Sequence, residues 1–156
     1  MSFFFFVTLL AGFGLAQASL LSRVGLFGAT PDFFSALTVI AAVLLAPWQA
    51  VCAGLLAGIF KDSFDVLPFG LNTLLLPLLA LAFSRLNRKL SLGNELLCSI
   101  LGGAGVFACT LAGGMALVFY GRQVPSGALA ARGLVAAVLT GLVIFPLFRS
   151  IKSAHR

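Results

Sequence analysis

The sequence predicts an all-α integral membrane protein, and two observations carry that prediction. Hydrophobic residues make up 61% of the 156 residues and charged residues only 9%, whereas a soluble domain keeps charge near about a quarter of its residues. The charged residues also stand in short clusters between long uncharged runs, the pattern expected of membrane-spanning helices and their loops. A chain of this length has room for one domain, residues 1–156.

Six apolar runs can be assigned to helices. Residues 3–21 carry no charge and, at about 1.5 Å per residue, just cross a hydrocarbon core of about 30 Å. Pro31 suits the first turn of the next helix, and Asp32 beside it favours the positive end of the helix dipole. The predicted helices are residues 3–21, 32–46, 48–60, 71–83, 96–120 and 128–148.

Pro47 is expected to separate the second and third helices. As one helix, residues 32–60 would be about 43 Å long, which exceeds the membrane core without strong tilt. Proline costs a helix interior about 3 kcal/mol and one hydrogen bond, and Trp48 beside it is typical of the membrane interface. We therefore expect two short helices joined by a tight hairpin. The alternative is a single kinked helix, which gives five helices and inverts the N-terminus.

The distribution of basic residues predicts the orientation. With both termini in the cytoplasm, the outer side carries Arg23, Lys61 and Arg122, with Arg132 just inside the last helix. The inner side then carries the larger set, Arg85, Arg88, Lys89, Arg149, Lys152 and Arg156. The positive-inside rule favours this arrangement. Because membrane topology accounts for the net charge of +6, we expect no nucleic-acid partner.

Acidic residues gather in one stretch, which is the first candidate for a functional site. Asp62 and Asp65 are two of the four carboxylates in the chain. Residues 61–70 are expected to form a loop at the outer surface, since a charge at the bilayer centre costs about 2.5–3.5 kcal/mol. Two aspartates three residues apart could share a helix face and bind a metal ion. The favoured interpretation is a solvated helix end paired with Lys61, with no catalytic residue, cofactor or metal.

Gly54 and Gly58 form a Gly-x-x-x-Gly step before this acidic stretch. Small residues let helix backbones approach closely in lipid. Close packing within the chain is the favoured interpretation, and packing against a partner's helix is the alternative. The glycine-rich run 96–120 is likewise expected to pack inside the bundle.

The order of these motifs resembles the rod shape-determining protein MreD family. The matching features are Pro31-Asp32-Phe33 opening a helix, Pro47 between two short helices, Gly54 and Gly58 leading to Asp62, Gly70-Leu71-Asn72 opening a helix that ends in Arg85-Leu86-Asn87-Arg88, and Phe145-Pro146-Leu147-Phe148-Arg149 closing the last helix. The chain departs from the family in the last helix, where Thr140 and Gly141 stand at the place of an expected asparagine.

The resemblance implies a non-enzymatic scaffold of the bacterial cytoplasmic membrane that helps to keep cells rod-shaped. It would bind the bitopic protein MreC directly, and through it MreB and the peptidoglycan elongation synthases, within the membrane lipids. The implied partner surface is the outward acidic cluster with the small-residue helices. The candidate residues are Pro31, Asp32, Gly54, Gly58, Asp62, Asp65, Gly70 and Asn72.

Two other classes stay open. The substrate-binding subunits of energy-coupling-factor vitamin transporters are similar in size, helix count and glycine-rich packing. Such subunits need a pocket with convergent polar groups, and few strong polar side chains, among them Gln17, Thr38, Thr73 and Thr110, fall inside the predicted spans. A lipid-modifying enzyme built on Asp62 and Asp65 lacks a base and further metal ligands.

Overall fold

A computed structural model describes residues 7, 8, 12, 32–64, 70–90, 94–121 and 126–153, most of which are helical. The five helices among these residues are α1 (Phe33–Leu44), α2 (Pro47–Phe64), α3 (Leu71–Leu90), α4 (Glu95–Phe119) and α5 (Ser126–Ser153). These residues include no strand, so the all-α prediction is confirmed. The predicted helix 3–21 lies outside the described residues apart from Val7, Thr8 and Gly12, which are helical. The count of six helices stays a prediction.

Pro47 separates α1 from α2, so the alternative of a single kinked helix is wrong. Pro47 is the first residue of α2, where its missing N–H removes no helical hydrogen bond. The Ala46 N–H donates to the Gln49 side chain at 3.4 Å, one half of a capping box. Leu45 is already extended, with a φ of −103° and a ψ of 165°.

Two helices continue beyond their predicted ends. The expected loop begins as helix, because α2 runs through Lys61 and Asp62 to Phe64. The helix predicted over residues 71–83 is α3, which includes the basic cluster and ends at Leu90. An apolar run marks where hydrophobic side chains stop, whereas the helix continues while its charged side chains reach partners or water. The prediction for α4 agrees within one residue at each end, and α5 extends beyond both predicted ends.

The short helix α1 forms the centre of the bundle. Residues 34–42 are all buried, and α1 contacts each of the other four helices. A helix that is apolar all round is expected to be enclosed in this way. The most extensive helix pairs are α2 with α3 and α4 with α5. The described fold therefore consists of two helical hairpins around a short central helix.

Glycines bring the backbones of each hairpin close together. A Cβ added at Gly58 would lie 2.5 Å from Thr73 Cα, and one at Gly54 would lie 2.9 Å from the Leu76 carbonyl oxygen. In the other hairpin, a Cβ at Gly103 would lie 2.9 Å from the carbonyl oxygen of Ala137. The expected close packing within the chain is confirmed at Gly54 and Gly58. The expectation that the glycine-rich helix packs inside the bundle is wrong, because α4 packs against α5 but leaves large apolar side chains such as Ile100 and Met115 exposed.

Two of the described helices are long and apolar enough to cross a membrane, over Leu96–Phe119 in α4 and Leu129–Ser150 in α5. Within an 18-residue stretch of each segment, only 33% and 22% of the residues are buried, whereas the core helix of a soluble protein is mostly buried. Their outer faces expose large apolar side chains such as Ile100, Met115 and Leu142. This exposure agrees with membrane association.

Candidate functional site

Asp62 closes the connection between α2 and α3. Its side chain is buried, with 4% of the residue exposed. Oδ1 accepts the Asn72 N–H at 3.0 Å, and Oδ2 accepts the N–H groups of Gly70 and Thr73 at 3.0 and 2.9 Å and the Thr73 hydroxyl at 2.6 Å. N–H groups at a helix start have no helical acceptor, and a carboxylate there complements the helix dipole. Asp62 is therefore a cap for α3 supplied by the preceding helix.

Gly70 lets the chain present its N–H to this cap. It precedes α3 with a φ of 100°, a left-handed conformation that residues with a Cβ rarely adopt. A glycine at this turn avoids the steric cost while the next residues enter the helix. The expectation that Gly70-Leu71-Asn72 opens a helix is confirmed.

Asp32 forms a second cap that joins three helices. Its Oδ1 accepts the Ser35 N–H at 3.1 Å and its Oδ2 accepts the Ser35 hydroxyl at 2.6 Å, which fixes the start of α1. The same Oδ2 forms an ion pair with Lys61 of α2. The Asp32 N–H donates to the Thr140 hydroxyl of α5 at 3.0 Å. The expected helix start at Asp32 is confirmed.

The two caps form one polar layer because Lys61 and Asp62 are consecutive on α2. This polar layer consists of Asp32, Lys61, Asp62, Asn72, Thr73 and Thr140. It corrects the interpretation of a solvated helix end, since Asp62 is buried and Lys61 pairs with Asp32, 29 residues earlier in the chain.

The predicted site residues are only partly brought together. Asp32, Asp62, Gly70 and Asn72 take part in the two caps, while Gly54 and Gly58 pack against α3. Pro31 and Asp65 lie outside the described residues. A metal site on paired aspartates is not favoured, because both Asp62 oxygens already accept hydrogen bonds from the chain. The described residues contain no group of three or more metal-ligating side chains.

Sequence reasoning missed three roles in this part of the chain. Thr73 had a usable local signal, because it stands in the first turn of a predicted helix, where hydroxyl and carboxyl groups form caps. No pattern in the neighbouring sequence predicts that Lys61 pairs with Asp32 or that Asp32 bonds to Thr140. These contacts join residues that are distant in the chain.

The C-terminal end of α1 is bound by side chains of α3. The Asn87 side-chain amide donates to the Val43 carbonyl at 3.0 Å, and the Ser84 hydroxyl donates to the Ala42 carbonyl at 3.3 Å. The last carbonyls of a helix lack helical donors. Both ends of α1 are therefore capped by side chains, and its apolar body is buried between them.

A groove between α4 and α5 is the second candidate site. Its volume is about 560 Å³, and its lining includes small residues, Gly103, Ala137 and Gly141, beside larger ones, Ile100 and Leu142. Ser99 also lines this groove and is only 8% exposed. Among the buried side chains that the structure describes, only its hydroxyl lacks a hydrogen-bond partner. An apolar groove with one unpartnered hydroxyl can hold a largely apolar molecule that carries a polar group.

Comparison with protein-family models, with curated proteins and with solved structures finds no match for this chain. Within its described residues the chain combines a polar layer, held by its own hydrogen bonds and ion pair, with an apolar groove between α4 and α5, the two helices that are long and apolar enough to cross a membrane.

Proposed function

We propose that this chain is a multi-pass scaffold protein of the bacterial cytoplasmic membrane that serves the rod-shape machinery, as its resemblance to the MreD family implies. It binds MreC directly and acts through MreC on MreB and the peptidoglycan elongation synthases. It has no catalytic activity of its own. The observation that carries this proposal is the groove between α4 and α5.

The groove has the chemistry that a transmembrane helix recognises. Association of helices in lipid relies on close backbone approach and on hydrogen bonds between helices. Gly103 and Gly141 hold α4 and α5 together beneath the groove, and the exposed Ala104 in its lining leaves room for a partner helix. The buried Ser99 hydroxyl beside the groove has no hydrogen-bond partner. A bitopic partner with a single membrane helix, as MreC is expected to be, fits a groove on two helices of membrane-spanning length.

The glycine step and the Asp62 cap, on which the resemblance rests, stabilise the α2–α3 hairpin itself. Gly54 and Gly58 hold α2 against α3, and Asp62 caps α3 at Gly70 and Asn72. These motifs thus form one interlocked unit within the chain. The proposed partner surface is therefore the groove on the other hairpin rather than the surroundings of Asp62.

The proposed orientation has both termini in the cytoplasm. Arg85, Arg88 and Lys89 are exposed near the end of α3, and Arg149 is exposed near the end of α5. Basic side chains beside membrane helices attract the anionic lipids of the inner leaflet. Membrane lipids are therefore partners of this end of the bundle.

A matched pair of alanine variants tests the proposal. Ala104 and Ala108 are both exposed on α4, one turn apart, and only Ala104 lines the groove. Tagged wild type, Ala104→Leu and Ala108→Leu are produced at native level in the source bacterium, purified in mild detergent, and their partners quantified by mass spectrometry. We expect MreC with wild type and Ala108→Leu, and about tenfold less with Ala104→Leu, because each lost 1.4 kcal/mol weakens binding tenfold.

Other outcomes would contradict specific parts of the proposal. Equal recovery of MreC with both variants would exclude the groove as its binding surface. Recovery of a pair of cytoplasmic ATPases with their membrane coupling subunit would instead indicate a vitamin-binding subunit. Deletion of the gene without any change in cell shape or wall growth would count against the rod-shape role.

A further inference from the structure

The ion pair between Asp32 and Lys61 lies beside the middle of α5. The Asp32 N–H donates to the Thr140 hydroxyl at 3.0 Å, and Thr140 is fully buried. Thr140 stands at the midpoint of Leu129–Ser150. At about 1.5 Å per residue, either end of that segment is about 15 Å away, half the thickness of a hydrocarbon core.

A further helix indicates a similar depth. On α2, Lys61 lies about 21 Å along the axis from Pro47. Trp48, beside Pro47, is 66% exposed, as expected for a residue at the membrane interface.

We infer that the Asp32–Lys61 pair lies near half depth in the bilayer and fixes the register of α1 and α2 against the α4–α5 hairpin. This inference rests on the proposed membrane location and is independent of the proposed partner. It differs from the expectation of a surface loop around Lys61. The pair positions these helices and takes no part in a reaction.

The surroundings of the pair fit a charge held inside a membrane. A lone charge at that depth is costly, and charged residues there pair with one another or with backbone groups. The Asp32 carboxylate has Lys61 on one oxygen and two bonds from Ser35. The pair is therefore neutral as a unit and satisfied on its acidic side.

Register is the property that such a pair can specify best. The buried face of α1 is apolar over residues 36–37 and 39–42, and apolar packing tolerates sliding and rotation more readily than directional bonds do. The ion pair links α1 to α2, and the Thr140 bond links α1 to α5. Fixing one arrangement is the best-attested use of buried ionic groups.

Depth is measured with the tryptophan as a probe, because Trp48 is the only tryptophan in the chain. Wild type and the variant Trp48→Phe/Ser63→Trp are placed in phospholipid vesicles whose acyl chains carry bromine near the headgroup or near the methyl end. Ser63 is exposed and two residues beyond Lys61. We expect deep bromines to quench the tryptophan at position 63 at least about twofold more than shallow ones, and the reverse for Trp48.

Two other quenching patterns would each contradict one part of this inference. If shallow bromines quench both tryptophans more strongly, the pair lies at the membrane surface and the inference is wrong. If neither bromine position quenches either tryptophan, the chain is not in the bilayer, and the proposed location itself fails. The measurement needs no partner protein, so it is not affected by whether MreC binds.

The register role is tested with Asp32→Asn, Lys61→Met and the double variant. Each single change leaves one charge unpaired, so we expect the yield of folded protein in vesicles to fall about tenfold or more. The double variant is neutral, and its yield should return to within about threefold of wild type. Equal yields for all variants would contradict a charge pair inside the membrane.

The double variant also reports on register. A disulfide between cysteines at Val39 and Gly102, whose positions are in contact, is expected to form more slowly and less completely in the double variant than in wild type. Identical cross-linking in the two proteins would show that the pair does not set the register.

Discussion

The Asp62 carboxylate of α2 accepts two hydrogen bonds from Thr73 of α3, one from the backbone N–H at 2.9 Å and one from the hydroxyl at 2.6 Å. Gly58, one turn earlier on α2, faces the Cα of the same threonine. One residue thus permits the close approach of α3, and the other binds α3 where it arrives. These two contacts hold the end of α2 against the start of α3.

Replacing Asp62 tests the cap. Asp62→Ala leaves several donors at the start of α3 without their acceptor, so we expect the free energy of unfolding to fall by about 3 kcal/mol. Asp62→Asn keeps one acceptor oxygen and should lose about half as much. The measurement is a denaturation titration in detergent micelles. Ser63→Ala is the control, since Ser63 is exposed and bonds within its own helix. A loss in Asp62→Ala no larger than in this control would contradict the cap.

A methyl group at Gly58 tests the close approach of α2 and α3. The added Cβ would lie 2.5 Å from Thr73 Cα and 2.7 Å from the Asn72 carbonyl oxygen, so the backbones must separate. We expect Gly58→Ala to lower the free energy of unfolding by about 2–3 kcal/mol. Gly127→Ala on α5 is the matched control, because a Cβ there meets nothing within 4 Å, and it should raise stability slightly through helix propensity. Equal effects would show that the two helices are not in contact at Gly58.

The left-handed turn at Gly70 predicts that wild type is more stable than Gly70→Asn, and Gly70→Asn more stable than Gly70→Ala. A Cβ at this position meets nothing within 4 Å, so any cost comes from the φ of 100° and not from crowding. We expect Gly70→Ala to lower the free energy of unfolding by about 1–2 kcal/mol. Gly70→Asn should lower it less, because asparagine tolerates positive φ better. Thermal unfolding in detergent can rank the three proteins. If alanine is as stable as glycine, the turn does not have this conformation.

Replacing Asn87 is expected to lower the free energy of unfolding more than replacing its charged neighbour Arg88. Its amide donates to the Val43 carbonyl at the end of α1, so Asn87→Leu should cost about 1–3 kcal/mol by leaving a partly buried carbonyl without this donor. Arg88→Ala is the control, since Arg88 is exposed, and it should stay within about 0.5 kcal/mol of wild type. The comparison uses chemical denaturation of both variants in the same detergent. A larger effect at Arg88 would argue against a cap on α1.

Several features of the fold could be predicted because they depend on local chemistry. Pro47 separates two helices since it lacks an N–H, and α4 ends within one residue of its apolar run. The Gly54 and Gly58 step predicted a close helix contact, and the structure identifies α3 as the partner. The site was predicted less well. Asp62 was selected for its position in an acidic cluster, whereas its role depends on burial and on four donors.

The sequence by itself determined the helical class, the break at Pro47 and the small-residue step on α2, since run length, a missing N–H and a missing Cβ act within a few residues. Only the tertiary structure decided that Lys61 pairs with Asp32 and that Asp32 bonds to Thr140, 108 residues away. A side-chain hydrogen bond or ion pair forms within about 3–4 Å. Whether two distant residues come that close depends on how the helices cross, and that geometry is set by the packing of the whole bundle.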